Sequence, residues 1–503
     1  MTSDPSTATR VGKGTRRGIA WNLVGSAITN LVRIAVVAVL GRLLSSGDFG
    51  VVAAAMTVMT VLHTIRDIGV GTALVQRKEL TPEHESTAFA VAMYVGVAMA
   101  IAMALCAPWI GALWEIPESV PILRVLGALF ALRGMATVSY MRCQRELNFR
   151  AIALIDTTAY TIGSGVSIAC AASGMGPWAL VAGYLVEATM MAGLYAVLFP
   201  ARMSMRIHRQ SLRDLLGYGL GHTAITISSV LATQGDNFVV GRTLGKVQLG
   251  FYTRAYELVR FPSTIFQNVV GSVLFPAFAR LQDDRAALAV SLRRTLFANA
   301  VLLLPGGAAL VVVAPEAIRI LMGPHWESAV LPFRIFSLTL LFRTSYKAGA
   351  IVARAAGDVY AVAFVTLLYA AAVIGGAAWS VQWGIVGVAV STSIAIVLAY
   401  LMLTYLGMLR SGLPWLAFLH THDLGLVLAG AVAAACWPLA TWMRAANANA
   451  PEIAAVLAVV SGAIMVIGLA VAPDRMHPDL PWLRGELRHL IARIGSRRRK
   501  RSS

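Results

Sequence analysis

The stretch Gly41-Arg42-Leu43-Leu44-Ser45-Ser46-Gly47-Asp48-Phe49-Gly50 is answered two hundred residues later by Gly241-Arg242-Thr243-Leu244-Gly245-Lys246-Val247-Gln248-Leu249-Gly250. Gly, Arg, Leu and Gly return at the same four places. Aligned without a gap, 31–74 and 231–274 share twelve identities in forty-four positions, where about three or four would fall by chance in a chain this rich in Ala, Val and Leu. Each copy lies between two long apolar segments and reads as the outer turn of a helical hairpin. A hairpin duplicated in the two halves of a membrane chain is a pattern from which alternating-access transporters are built.

Composition supports the membrane reading. Of 503 residues, 58% are hydrophobic and 13% charged, with a mean hydropathy of +0.71, which excludes a string of soluble domains. Runs of about 20 apolar residues predict an all-α polytopic protein with spans near 18–40, 49–71, 88–113, 119–141, 151–172, 177–199, 215–240, 249–275, 295–314, 330–352, 359–380, 383–406, 424–443 and 453–472. That is about fourteen helices. The last two are the least sharply separated, because Trp437, Pro438 and the 444–452 connector also suit a single bent hairpin. The segment before residue 18 is polar and the first apolar run has no small-residue cleavage site, so it is expected to stay as helix one. Cys106, Cys143, Cys170 and Cys436 show no metal or redox spacing, and neither a metal nor a cofactor is expected.

Charge sets the orientation. Loops on the side of the termini carry 28 of the 42 Lys and Arg, and the opposite loops carry five. By the positive-inside rule both termini are expected in the cytoplasm. Most of the formal charge of +18 is then topological, and no nucleic-acid partner is implied. From Leu480 onward, Leu483, Leu487, Leu490, Ile491 and Ile494 keep helical spacing after Trp482, and Arg497-Arg498-Arg499-Lys500-Arg501 follows. An interfacial helix with a basic end suits anionic membrane lipid, although a solvated tail fits the last seven residues equally well.

Nine basic residues remain inside the spans: Arg33, Arg66, Arg124, Arg133, Arg254, Arg260, Arg334, Arg343 and Lys347. Five acids accompany them, Asp67, Asp156, Glu187, Asp236 and Glu257. A charge near a helix centre costs on the order of 2.5–3.5 kcal/mol on insertion scales, so each must face water, a partner or a ligand. Arg124, Arg334, Lys347 and Asp156 lie close enough to span ends to reach the interface. Glu257 is three residues from both Arg254 and Arg260 and can form a ladder with them. Arg133, Arg260 and Arg343 fall near mid-span on three helices, with Glu187 at similar depth. A surplus of arginine around a central space implies an anion, and the planar fork suits phosphate. Arg33, Arg133, Arg254, Arg260 and Arg343 are therefore the candidate substrate contacts. Asp67, Glu187, Asp236 and Glu257 are candidates for ion coupling or for structural salt bridges. The chain lacks a phosphate-binding Gly loop with Lys-Ser/Thr and a long soluble loop, which argues against ATP-driven pumping and glycosyl transfer.

Several strings also resemble a known family. They are Gly41-Arg42-Leu43-Leu44 with Asp48-Phe49-Gly50, Asp67-Ile68-Gly69 with Ala73-Leu74-Val75-Gln76, and Arg145-Glu146-Leu147-Asn148-Phe149. Gly176-Pro177-Trp178-Ala179-Leu180-Val181, Asp236-Asn237-Phe238 leading to Gly241-Arg242, and Gly250-Phe251-Tyr252 with Arg254-Ala255 and Pro262 continue the series. Together they resemble Wzx-type polysaccharide flippases, closest to the colanic-acid and succinoglycan exporter branch, over roughly residues 18 to 280. The resemblance implies the fold of the MOP superfamily, two parallel-repeat six-helix bundles around a central cationic cavity plus two C-terminal helices. It also implies a transporter, not an enzyme, moving undecaprenyl-diphosphate-linked oligosaccharide for exopolysaccharide or lipopolysaccharide export, in company with a polysaccharide polymerase and export machinery.

The expected organisation is a cytoplasmic segment 1–17, a first bundle 18–200, a basic linker 201–214, a second bundle 215–410, two added helices in 411–473 and a basic amphipathic tail 474–503. The alternatives are a multidrug and cation antiporter of the same fold, a membrane polysaccharide polymerase and a scaffold. Helix one holds Arg33 and no acid, against the first. Short outer connectors argue against the second, and only the basic tail favours the third.

Overall fold

The computed structural model describes residues 32–66, 81–146, 148–200, 204–216, 220–280, 284–486 and 488. Asp67, the segment 1–17 and the basic end 497–501 lie outside them. The described residues are almost wholly helical: α1 (32–43), α2 (Ser46–Arg66), α3 (Pro82–Trp114), α4 (Ser119–Leu126), α5 (Ala128–Arg145), α6 (Phe149–Ala172), α7 (Pro177–Leu198), α8 (Arg209–Leu216), α9 (Leu220–Arg280), α10 (Arg285–Leu321), α11 (Val330–Leu338), α12 (Leu340–Ala355), α13 (Val359–Ser380), α14 (Gly384–Ser411), α15 (Trp415–His420), α16 (Asp423–Ala445) and α17 (Ala450–Val471). Nine helical runs among the described residues are long and apolar enough to span a membrane. The run Val359–Ser411 carries two of the spans read from sequence, joined by the short turn Val381–Trp383. The expected total of fourteen exceeds this count, in which α1 and α9 do not figure. α16 and α17 are two separate helices.

Local chemistry starts and stops these rods. Pro82 and Pro177 begin α3 and α7, where the missing N–H is no loss. Asn148 caps α6 by accepting from the Ala151 amide at 3.3 Å, and Asn449 with Glu452 forms a capping box on α17. Small residues then let the rods touch, as membrane packing requires. A Cβ on Gly163 of α6 would come within 2.7 Å of the Gly183 carbonyl of α7, and one on Gly407 of α14 within 2.8 Å of the Gly349 Cα of α12.

The chain packs as two compact units. The first gathers residues to Val269 together with Leu321–Pro332 and Thr366–Ala395; the second gathers Val270–Ile320, Phe333–Val365 and the chain from Ile396. Inside the first unit the duplicated corners meet reciprocally. A Cβ on Gly50 would overlap the Lys246 carbonyl, and one on Gly250 would overlap that of Ser46. Gly41 lies against Met322, with a Cβ only 2.9 Å from its Sδ, and Gly241 lies against Trp114 at 2.6 Å. Arg242 donates to the Leu113 carbonyl and lies 3.6 Å from Glu115, while Arg42 borders Gly323. Lys246 pairs with Glu118, and Trp326 donates to the Gly41 carbonyl at 2.9 Å. The repeated Gly-Arg pair thus binds the end of a helix from the other repeat. In the second copy Gly245 turns the chain at φ 78° and ψ 177°, a conformation open only to glycine.

In the second unit the chain beyond α17 folds back onto protein. Leu480 and Leu483 are buried with Phe297, Leu424 and Leu428. Asp479, 1% exposed, receives Arg293 at 2.7 and 3.0 Å and Arg294 at 3.2 Å. His477 stacks on Phe297 at 3.8 Å. Arg484 donates to the Leu469 and Ala470 carbonyls, closing the end of α17. The first turn of the amphipathic tail therefore buries its apolar face in the protein, and Leu487, Leu490, Ile491 and Ile494 lie outside the described residues.

Candidate functional site

The first unit concentrates charge between its helices. Arg33 of α1 is half-buried, with its guanidinium 5.3 Å from the centre of the Tyr160 ring of α6. Arg133 on α5 is exposed, and its charge and that of Arg33 both bear on Glu187 of α7, as does Asp156. Arg66 ends α2 and donates to the Phe130 carbonyl at 3.4 Å. On the second limb of α9, Arg254 pairs with Glu257 and lies 4.5 Å over the Phe49 ring. Both bear on Tyr184, as do Glu187 and Tyr160. Arg260 is exposed at the next position of the same face. The structure thus brings Arg33, Arg133, Arg254, Glu187 and Glu257 to one polar interior lined by Tyr160 and Tyr184.

Asp236 takes a different place. It is 2% exposed and accepts from the Tyr252 hydroxyl at 2.7 Å and the Asn237 amide at 2.9 Å. The Tyr252 oxygen is also 3.3 Å from Thr392, while Asn237 and Thr57 both donate to the Gln234 carbonyl oxygen, at 3.0 and 3.3 Å. These are donors of the kind that a buried carboxylate needs. Asp156 likewise accepts from the Tyr195 hydroxyl at 3.0 Å.

Arg343 belongs to the second unit. Its Nε donates to the Thr339 hydroxyl at 3.2 Å, and its guanidinium lies 4.8 Å from the Phe336 ring centre. Arg334 donates to the Val311 carbonyl at 3.2 Å and faces Trp437 at 5.7 Å. The two repeat Arg124 and Arg133: the same pair, nine residues apart, recurs two hundred and ten residues on. Between the two arginines the second copy departs from helix at Thr339 (φ −97°, ψ 13°), whereas the backbone at Gly127 keeps helical angles (φ −52°, ψ −32°).

Sequence reading missed three features here. His63 of α2 lies 4.6 Å from Phe130, with Arg133 and Arg66 acting on it, and its buried Nδ1 lacks a partner. A lone histidine in an apolar run carries no signal of that setting. Tyr160 and Tyr184 read as ordinary span aromatics. Glu316 and Arg444, assigned to connectors, form a buried bidentate pair at 2.8 Å with Arg444 also on the Val312 carbonyl, joining α16 to α10. Their 128-residue separation hides the partnership. Among the described residues no group of His, Cys, Asp and Glu could hold a metal ion.

The family described as polysaccharide biosynthesis protein matches residues 39–331, more than half of the chain. The succinoglycan biosynthesis transport protein ExoT of Rhizobium meliloti (strain 1021) is 28% identical over 64% of this chain and 65% of its own; the match thus spans just under two thirds of that relative. The lipopolysaccharide biosynthesis protein WzxC of Escherichia coli (strain K12) is 24% identical over 65% and 67%. Among solved structures, the lipid II flippase MurJ in an inward closed conformation superposes with a TM-score of 0.73 at 14% identity, covering 89% of this chain and 97% of that one. An inward-facing multidrug resistance MATE family transporter of the MOP superfamily gives 0.63 at 16% identity, covering 78% and 98%. The fold is of this transporter type, and the expected recognition, helical class and multi-pass membrane character agree with these findings.

Proposed function

We propose, from the premise that this chain belongs to the polysaccharide biosynthesis protein family, that it carries a lipid-linked oligosaccharide across a bacterial inner membrane by alternating access. The relatives whose names speak of succinoglycan transport and lipopolysaccharide biosynthesis, and the likeness in fold to a lipid II flippase, support the substrate class. One observation carries the reading. Arg33, Arg133, Arg254 and Arg260 stand against Glu187, Glu257 and Asp156 in the first unit, four basic groups to three acids. An undecaprenyl-diphosphate linkage supplies the anion that such a site lacks, and each guanidinium can grip its oxygens in bidentate fashion. The fold shared with MATE transporters leaves the cargo open; the arginine surplus favours an anion over a cation.

In this proposal Arg33, Arg133, Arg254 and Arg260 hold the pyrophosphate. Arg343, the repeat counterpart of Arg133, has the same role within the second unit. Glu187, Glu257 and Asp236, with Asp67 outside the described residues, are the acids that could couple an ion. The termini face the cytoplasm, the basic end Arg497 to Arg501 lies on anionic lipid, and a polymerase consumes the product.

The test has two arms. Cells lacking the protein should accumulate a lipid-linked repeat unit on the inner leaflet and lose the mature polymer. Elongation or cleavage of glycan by the purified protein would replace transport with catalysis. In the second arm, Arg133→Gln, Arg260→Gln and Arg343→Gln are scored for membrane abundance and polymer export, alone and with Glu187→Gln or Glu257→Gln. Loss of export at normal abundance, not restored by the second change, is expected of substrate contacts. Recovery of both in the double variants would make the arginines structural partners of the acids.

A further inference from the structure

Both copies of the repeated corner end in a glycine, Gly50 and Gly250, and each glycine faces the backbone of the other copy. A Cβ on Gly50 would overlap the Lys246 carbonyl, and a Cβ on Gly250 the Ser46 carbonyl. Main chain therefore crosses main chain twice, about a local twofold relation. Around the crossing stand contacts of a different kind. Lys246 pairs with Glu118 and Arg242 with Glu115, all four side chains between 39% and 66% exposed, so each pair is screened and weak. Next to Gly50, Phe49 is 1% exposed and meets Trp326 at 5.5 Å, as does Phe251. This combination is close-fitting but lightly tied by charge; the bonds of Arg242 to the Leu113 carbonyl and of Trp326 to the Gly41 carbonyl add one hydrogen bond at each corner.

The crossing is also wired to the charged interior. Phe49, next to Gly50, carries the Arg254 guanidinium on its face at 4.5 Å. Arg254 pairs with Glu257, yet its Nε is buried and finds no hydrogen-bond partner. A buried donor left unpaired is a cost that an incoming anion would remove. An anion drawing on that fork competes for the same guanidinium that rests on Phe49.

We propose that the reciprocal Gly50–Gly250 crossing is the gate closing one end of the transport path, that this structure shows it shut, and that Arg254 transmits occupancy of the interior to it through Phe49. The gate rests on the transport reading above, and the identity of the anion on the cargo proposed there. Closure needs glycine at both places because any side chain holds the two corners apart. Opening separates the corners, releases the exposed pairs of Lys246 with Glu118 and Arg242 with Glu115 at small cost, and breaks the hydrogen bonds of Arg242 to Leu113 and of Trp326 to Gly41. The Gly-Arg repeat is thus read as a device that makes the two halves of the chain complementary to each other at one face.

The test uses the full-length protein in cells, in a background lacking Cys106 and Cys170; Cys143 and Cys436 are buried. A Cβ on Gly47 would lie 3.7 Å from Val247 Cγ2, so Gly47→Cys with Val247→Cys should oxidise to a disulfide. Tyr160→Cys reports the interior, labelled by an impermeant maleimide from the face on which Gly47→Cys alone is reactive. Gly50→Ala and Gly250→Ala should each raise interior labelling several-fold and lower the yield of the disulfide. The oxidised pair should abolish labelling and polymer export, and reductant should restore both. Lys246→Glu, at an exposed position, should raise labelling more modestly, with recovery on adding Glu118→Lys; this arm stands if an alanine variant fails to accumulate. Arg254→Gln should also raise labelling if Arg254 steadies the corner. Unchanged labelling in both alanine variants at normal abundance, or normal export by the cross-linked protein, overturns the gate. Unchanged labelling in Arg254→Gln overturns its role as transmitter. A disulfide that blocks labelling in a strain whose lipid-linked sugars are undisturbed keeps the gate and refutes the cargo.

Discussion

At the scale of single residues, burial decides which charges are expensive to disturb. Glu316 is 5% exposed and its partner Arg444 holds it with two bonds of 2.8 Å. Removing one member of such a pair strands the other in a poor dielectric and costs roughly 3–5 kcal/mol, whereas replacing both is far milder. Arg444→Met is therefore expected to lower thermal stability in detergent sharply, and Glu316→Gln added to it to recover much of the loss. A melting curve of the two variants against the parent decides it; equal destabilisation by single and double changes would mean that Arg444 acts through packing alone. The charges proposed as substrate contacts differ in kind. Arg133 and Arg260 are exposed, so their loss should touch function before stability.

At the scale of elements, two segments depend on a single local feature. Gly245 bends α9 with φ 78° and ψ 177°; an alanine there forces a backbone region that non-glycine residues occupy only at a cost of about 1–3 kcal/mol. Gly245→Ala should reduce stability by that order, while alanine at Gly193, where a Cβ meets open space, should not. The segment after α17 depends on His477. Burial holds its imidazole below the ordinary 6.5, and the nearby Arg293 acts in the same direction against Asp479. Its Nδ1 accepts from the Asp479 amide at 3.1 Å, so the docked form needs the neutral ring. The undocked ring takes up a proton near 6.5, and the docked one only at lower pH. Docking is then at full strength above pH 6.5 and weakens as pH falls below it. Hydrogen-exchange protection across 474–486, corrected for the intrinsic slowing of exchange as pH falls, should drop from pH 7.5 to 5.5 in the parent and much less in His477→Phe, which keeps the stacking on Phe297.

At the scale of the whole molecule, the prediction is one of sidedness. Cysteines at Gly47 and Ala448 should react with an impermeant thiol reagent from outside intact cells, and those at Arg209 and Ser502 only after the membrane is opened. Labelling of position 209 from outside would overturn the orientation drawn from the loop charges. Much of this protein is legible without coordinates. Hydrophobic run length bounds the helices because a bilayer has one thickness, so α6, α7, α13 and α16 fall within a few residues of the spans read from sequence. Duplication announces itself as sequence identity, and the strings from Gly41 to Pro262 place the chain in its family. What no pattern in the chain could tell is which distant residues share a neighbourhood. The 128 residues between Glu316 and Arg444, the Tyr252 hydroxyl on Asp236, and the turn back of Leu480 onto Phe297 are decided by how the rods pack. The repeat itself illustrates the division. Its glycines are visible in sequence as copies of one another, but their purpose, each making room for the backbone of the other copy, exists only once two surfaces far apart in the chain are brought within van der Waals contact. Local propensity and hydropathy act along the chain and can be read there; steric fit and the pairing of buried charge act across it, and only the tertiary structure settles them.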